Sequence, residues 1–338
     1  MALQLLPRTQ ALPFGNTAGR SALFYVRVMT MAHNWMVMPL PVAAWDGAPP
    51  AWLSRLVCVV LAVVATALLW RARKAVEGTT LRAAWFWALA SWVAVVSVTL
   101  AGWLAAARGD AGDWLASLRL AAAMTTVCPA MALLGAKRPQ HAAWQWVVLS
   151  LWVVLSLPAA QWLLFGSPPT IHPARRWFLL VLLLPGIVNY LPTRHWLAAL
   201  LLAAAQLELL AGYLPGGKLA ESQPPLVVLI PLVAALAIAQ LPRKAPVGED
   251  PLDRTWRDFC DLYGLVWASR VAERFNASAV ANGWPVRLAW RGFRAPAGDA
   301  APALTAEQYE AVANNLTSWL GRFHQGTALD ASSCSRKV

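Results

Sequence analysis

Charge is scarce in this sequence: Asp, Glu, Lys and Arg make up 13% of its 338 residues, about half the share found in ordinary soluble domains. Hydrophobic residues make up 59% and the mean hydropathy is +0.50, so the scarcity excludes a freely soluble globular chain. Acids are scarcer than bases, 16 against 28, and a net charge of +12 would suit a nucleic-acid partner if the bases formed one face. They do not. Residues 1–244 hold 18 Lys and Arg against 6 acids, while residues 245–338 hold 10 against 10, so the whole excess borders apolar runs. There it reads as a topology signal, and nucleic acid is not an expected partner.

Cysteine is also rare. Cys58, Cys128, Cys260 and Cys334 form no C-x-x-C pair and have no His at ligand spacing, which excludes a zinc or dithiol motif. The five histidines fall mostly near the ends of apolar runs, an arrangement unsuited to the paired axial ligands of a multi-haem cytochrome. No Walker loop, G-x-G-x-x-G, H-E-x-x-H or G-x-S-x-G occurs. The expectation is therefore no metal, no cofactor and no common catalytic signature.

What the chain has in quantity is apolar runs of nearly the 20 residues a helix needs to cross the hydrocarbon core. Spans are expected near 51–70, 83–104, 115–134, 143–165, 176–192, 196–213 and 225–241, with a weaker one at 22–44 interrupted by Arg27, His33 and Asn34. Arg71, Arg73, Lys74 and Arg82, then Lys137 and Arg138, then Arg194, then Arg243 and Lys244 fall in alternate connections, which the positive-inside rule assigns to the cytoplasm. With Arg8 and Arg20 this gives 11 basic residues inside against four outside (Arg108, Arg175, Arg176 and Lys218), so eight spans fit better than seven. The first 30 residues lack the continuous apolar core of a secretory signal. Met29 and Met31 are alternative starts, either of which would shorten or remove the span at 22–44.

After Lys244 the pattern changes to a linker at 245–250 and a charge-balanced stretch at 251–325, with a tail at 326–338 expected to be disordered. From Pro251 to Phe275, Trp256, Phe259, Tyr263, Val266 and Val271 recur at helical spacing, and Asp253 with Arg257 and Arg254 with Asp258 stand four apart. Residues 284–293 alternate as a half-buried strand, with Val286, Leu288 and Trp290 opposite Arg287, Ala289 and Arg291. Arg287, Arg291 and Arg294 form its polar side, a solvated face or a contact for anionic headgroups. The last helix opens on a capping box, Thr305 and Gln308, and carries Tyr309, Leu316 and Trp319 in its apolar stripe. So small a helix-strand-helix unit has to dock its apolar faces on each other and the membrane part, on a second copy, or on a partner. Trp256, Phe259, Tyr263, Tyr309, Leu316 and Trp319 are the candidate docking residues.

Inside the spans one carboxylate stands out. Glu208 lies in the run LLAAAQLELLAGY, and an ionisable residue at membrane depth is a functional-site candidate that wants a partner. Arg119, at matching depth in the third span, is the first choice; Gln161, Thr99 and Arg55 fall in the same outer half and complete a candidate polar pocket. Arg55 and Arg119 snorkelling to the interface is the plainer alternative. In MTTVCPAM, Pro129 with Thr125 and Thr126 marks a kink, Thr hydroxyls being able to satisfy freed carbonyls. A mid-span Cys with a later Asn and Arg, here Cys128, Asn189 and Arg194, resembles the exosortase-type membrane transpeptidases. Cys128 is however followed by Pro129 and Ala130 rather than Ser and Gly, the Asn-to-Arg spacing differs and no His follows in the next span, so the resemblance is not adopted. Asn189, Tyr190 and Arg194 are otherwise read as interfacial anchors. The 20 tryptophans, including Trp52, Trp70, Trp103, Trp144 and Trp196, suggest an aromatic belt.

Together these features predict an all-α polytopic membrane bundle of about eight spans, or seven, over 22–244, preceded by an N-terminal segment 1–21. A small cytoplasmic α/β domain follows at 251–325. The expected setting is a bacterial-type inner membrane with the C-terminus cytoplasmic. The expected role is a non-enzymatic membrane component that docks a protein partner or a second copy. The competing role is a transporter or membrane-embedded enzyme acting through Glu208 and Arg119.

Overall fold

The computed structural model describes residues 51–109, 113–137, 139–166, 171–214, 225–242, 246, 248–296, 298, 300 and 303–324. The candidate span 22–44, the segment 1–21 and the tail 326–338 lie outside them. The described residues from Ser54 onward belong to one compact unit.

Helices stand at each of the seven later expected spans. They are α1 (Ala51–Val76), α2 (Arg82–Arg108), α3 (Asp113–Thr125) continued by α4 (Cys128–Leu134), α5 (His141–Phe165), α6 (Pro173–Tyr190), α7 (Trp196–Leu210) and α8 (Pro225–Ala239). By length and composition five of them, α1, α2, the α3–α4 pair, α5 and α7 with its terminal 3-10 turn, are able to cross a membrane; α8 is apolar but shorter, and α6, at the span expected over 176–192, is not among the five. The protein is a multi-pass membrane protein.

Five segments of this bundle gather at one end. Val76, Leu81, Leu133, Ala136 and Tyr190, from the ends of α1, α4 and α6 and from adjoining turns, share one apolar core with the C-terminal helices. The backbone after α8 joins them, because Arg194 Nη1 donates to Leu241 O at 3.4 Å. The described basic connections, with Arg71, Arg73, Lys74, Arg82, Lys137 and Arg194, therefore lie on a single side, as the charge alternation requires.

The C-terminal layer consists of α9 (Pro251–Ala281), a hairpin of β1 (Arg287–Ala289) and β2 (Gly292–Arg294), and α10 (Ala306–Leu320) with a 3-10 turn at Gly321–Phe323. Asp250 caps α9 by accepting from Leu252 N at 2.8 Å, and the Thr305–Gln308 capping box forms at α10. The alternation expected over 284–293 holds for Val286 and Leu288, both buried. One strand was expected and two short antiparallel ones are found, because Gly292 turns the chain with φ 119°. A Cβ there would meet the Asp253 carboxylate at 2.2 Å. Asp253 accordingly accepts from Phe293 N at 2.7 Å and faces Arg294, in place of the expected pair with Arg257. Arg257 turns back to Glu249 at 3.2 Å.

Candidate functional site

The five residues expected to form a pocket are placed apart. Arg55 is exposed on the first turns of α1. Thr99 donates to Val95 O at 2.9 Å and lines a cleft between α1 and α2, whereas Gln161 lines a cavity of about 460 Å³ between α5 and α6 with His172 and Arg175. Arg119 is half-buried on α3 with its guanidinium turned to Gly102 of α2, where an added Cβ would lie 3.9 Å from Nη2. Glu208 is half-buried on α7. Among the described residues no ion pair within 4.0 Å joins it to Arg119.

The polar residues that do converge meet at the break between α3 and α4. Pro129 has no N–H to give the carbonyl four residues back, that of Thr125. Ser91 of α2 brings a donor there, its single hydroxyl proton shared between Thr125 O and Trp87 O, each 2.7 Å from Oγ. The next carbonyl, Thr126 O, accepts from Gln206 Nε2 of α7 at 2.8 Å. Thr125 Oγ1 donates to Ala121 O and accepts from Trp152 Nε1 of α5 at 2.9 Å, and Thr126 Oγ1 donates to Ala123 O at 2.7 Å. One interrupted helix is thus fastened to α2, α5 and α7 by side chains, each paired where water is absent. The kink expected at MTTVCPAM is real, and Gln206, two residues before Glu208, is one of its clamps. Cys128 is buried within it, its Sγ 3.6 Å from Met124 O.

The same device recurs at Pro158 in α5. Its missing N–H would have served Val154 O, to which Arg175 of α6 donates instead. This gives Arg175 a structural partner at the end of the bundle remote from the C-terminal layer.

A second junction joins the bundle to that layer. Within α9 Gly264 takes φ 72°, ψ −169°, which interrupts the helix. Asn189 at the end of α6 fills the gap: its Nδ2 donates to Tyr263 O at 3.2 Å and its Oδ1 accepts from Val266 N at 2.9 Å. A Cβ on Gly264 would stand 2.2 Å from Asn189 Nδ2, so glycine is demanded by both conformation and space. Asn189, read from the sequence as an interfacial anchor, is a buried clamp. Trp267 Nε1 donates to Leu133 O at 2.8 Å and Trp144 Nε1 to Met131 O at 2.8 Å, closing carbonyls in the last turn of α4. Trp290 Nε1 reaches Pro192 O at 3.1 Å. Trp144 is therefore a helix cap, whereas Trp52, Trp70 and Trp196 are exposed near helix ends as a belt requires.

Arg194 completes the junction, its Nε 3.3 Å from Asp261 Oδ2 and 3.2 Å from His195 Nε2. Burial and then the Arg194 charge hold the His195 imidazole below its ordinary value, against a smaller opposing pull from Asp261. On α9, burial and neighbouring Asp261 push the Cys260 thiol up, leaving it protonated and unreactive.

Of the expected docking residues, Trp256, Phe259, Tyr263 and Leu316 are buried in the core shared by layer and bundle. Phe259 and Tyr263 stack 4.7 Å apart, and Phe323 meets both edge-on. The stripe is spent within the chain. Tyr309 reaches the surface, its hydroxyl on Asp250 at 3.3 Å, and half-buried Trp319 lies under the Arg322 guanidinium at 4.3 Å. Among the described residues no group of three or more His, Cys, Asp or Glu could hold a metal ion.

Sequence reasoning missed Ser91 and Gly264. Their signals were present in a serine on a neighbouring span and in a glycine inside an amphipathic helix, but their partners lie 34 and 75 residues away, at Thr125 and Asn189. Comparison with known proteins finds no matching family model, no similar curated protein and no similar solved structure.

Proposed function

We propose that this protein is a non-enzymatic component of a bacterial-type inner membrane, its bundle holding the C-terminal layer at the cytoplasmic face as a platform for a protein partner. The observation that carries the reading is the use of polar groups. Ser91, Thr125, Thr126, Gln206 and Asn189 are engaged in fastening helix breaks, and the layer is fixed to the bundle through Asn189, Trp267 and Trp290. A rigid platform suits assembly. The buried aromatic stripe supports the layer, leaving the side of α10 with Tyr309 and Trp319 for the partner. The cytoplasmic assignment rests on the basic connections gathered at that end.

The second reading, a transporter or membrane-embedded enzyme, is favoured by one observation. Glu208 is half-buried at membrane depth with no hydrogen bond or ion pair recorded for its side chain among the described residues. Complementation in the native host separates the two. As a component, the chain keeps its role with Glu208→Gln and loses it on truncation after Lys244; the reverse pattern establishes the second reading.

A further inference from the structure

Between α1 and α2 runs a cleft of about 1230 Å³, above the roughly 300–1000 Å³ of an ordinary small-molecule site. Its walls are Val59, Val63, Val93, Val96, Leu100 and Trp103, with Leu229 of α8 at the back. Two of the three hydroxyls along it are committed, Thr66 donating to Ala62 O at 2.8 Å and accepting from Trp92 Nε1 at 3.0 Å and Thr99 donating to Val95 O, while Ser97 is exposed. Apart from these hydroxyls and Cys58, the rest of the lining between the charged end and Trp103 is hydrocarbon.

Only one end is charged. Arg71 and Lys74, three apart on the same face of α1, close the cleft on the side of the C-terminal layer. Both are exposed, and the nearby carboxylate of Glu77 is taken by Arg73 at 3.2 Å. Among the described residues no ion pair is recorded for either. From Val59 to Lys74 the helix rises roughly 22 Å, longer than the roughly 15 Å of one leaflet's hydrocarbon.

We infer that this cleft is a binding site for one anionic phospholipid of the leaflet beside the C-terminal layer. Its acyl chains lie between α1 and α2, and its phosphate is held by Arg71 and Lys74. The match is one of charge and length together: an apolar slot as deep as an acyl chain ends in two uncompensated cations at headgroup level. A zwitterionic lipid presents the same chains but leaves those cations short of one negative charge. The assignment does not depend on which side of the membrane the layer faces, nor on the role proposed above.

Native mass spectrometry of the full chain, released from nanodiscs holding equal amounts of phosphatidylglycerol and phosphatidylcholine, tests it. The expected result is one retained phosphatidylglycerol in preference to phosphatidylcholine. Arg71→Gln with Lys74→Gln lowers that preference about tenfold, and Val63→Trp, which fills the slot without touching the charges, removes the bound lipid. Arg55→Gln, on the same helix but outside the cleft, leaves retention unchanged. Equal retention of the two lipids, equal loss in Arg55→Gln, or retention unaffected by Val63→Trp overturns the inference. So does a photo-cross-linker at Val93 that captures polypeptide rather than lipid in intact membranes.

Discussion

Two spans of this bundle occupy opposite extremes. α1 is the more hydrophobic, at a mean hydropathy of 2.3, yet only 17% of its best window is buried; the α3–α4 pair, at 1.5, is 61% buried. In a soluble protein the more apolar helix would lie inside. In lipid the hydrocarbon is as apolar as any side chain, so hydrophobicity does not draw a helix to the centre. Unpaired polar groups do. The break at Pro129 leaves carbonyls that only protein can satisfy, and Ser91, Gln206 and Trp152 are the neighbours that surround it as a result. α9 shows the same principle at the membrane's edge, its own break at Gly264 filled by Asn189.

The comparison can be broken most severely at Gly264. Gly264→Ala forces a Cβ into Asn189 and strains the positive φ, at roughly 3 kcal/mol or more. The expected outcome is a C-terminal layer released from the bundle, seen as rapid trypsin cleavage within α9 while the bundle stays intact. Ser91→Ala comes next. It strips Thr125 O of its donor and is expected to cost about 1 kcal/mol, read from equilibrium unfolding in mixed micelles.

How much of this was legible beforehand follows from the range of each interaction. Span positions, the Pro129 kink, the Pro251 start of α9 and the Thr305 capping box are local, and the sequence displays them within a few residues. The clamps are not local. Asn189 looked like an interfacial anchor because nothing near it marks the gap 75 residues on that it fills. Depth alone pairs Glu208 with Arg119, and depth says nothing of how each helix is rotated about its axis. α3 turns Arg119 toward Gly102 of α2. Alternation over 284–293 predicts one strand because it continues on paper through Trp290 and Arg291, where the backbone reverses ahead of Gly292 at φ 119°.

A milder test of the layer's attachment uses pH. The His195 imidazole is held below its ordinary value of 6.5 in the folded chain, so the folded state binds fewer protons than the unfolded one. Its contribution is complete above about 6.5 and is lost as pH falls through the lowered folded value. Acidification from neutral pH is therefore expected to lower the melting temperature, and less so in His195→Gln. The smallest effect belongs to α1: Val60→Ala, on an exposed position, should change stability by less than about 0.5 kcal/mol in the same assay as Ser91→Ala.

The central claim, that polar residues in these spans fasten helices rather than line a site, is tested most directly on α7. Gln206 and Glu208 stand two residues apart in the same apolar run, the first buried and bonded to Thr126 O, the second half-buried. Equilibrium unfolding of Gln206→Leu and Glu208→Leu in one micelle system is predicted to show a loss of about 1 kcal/mol for the first and no loss, or a gain, for the second. A stable Gln206→Leu beside a destabilised Glu208→Leu would contradict the account.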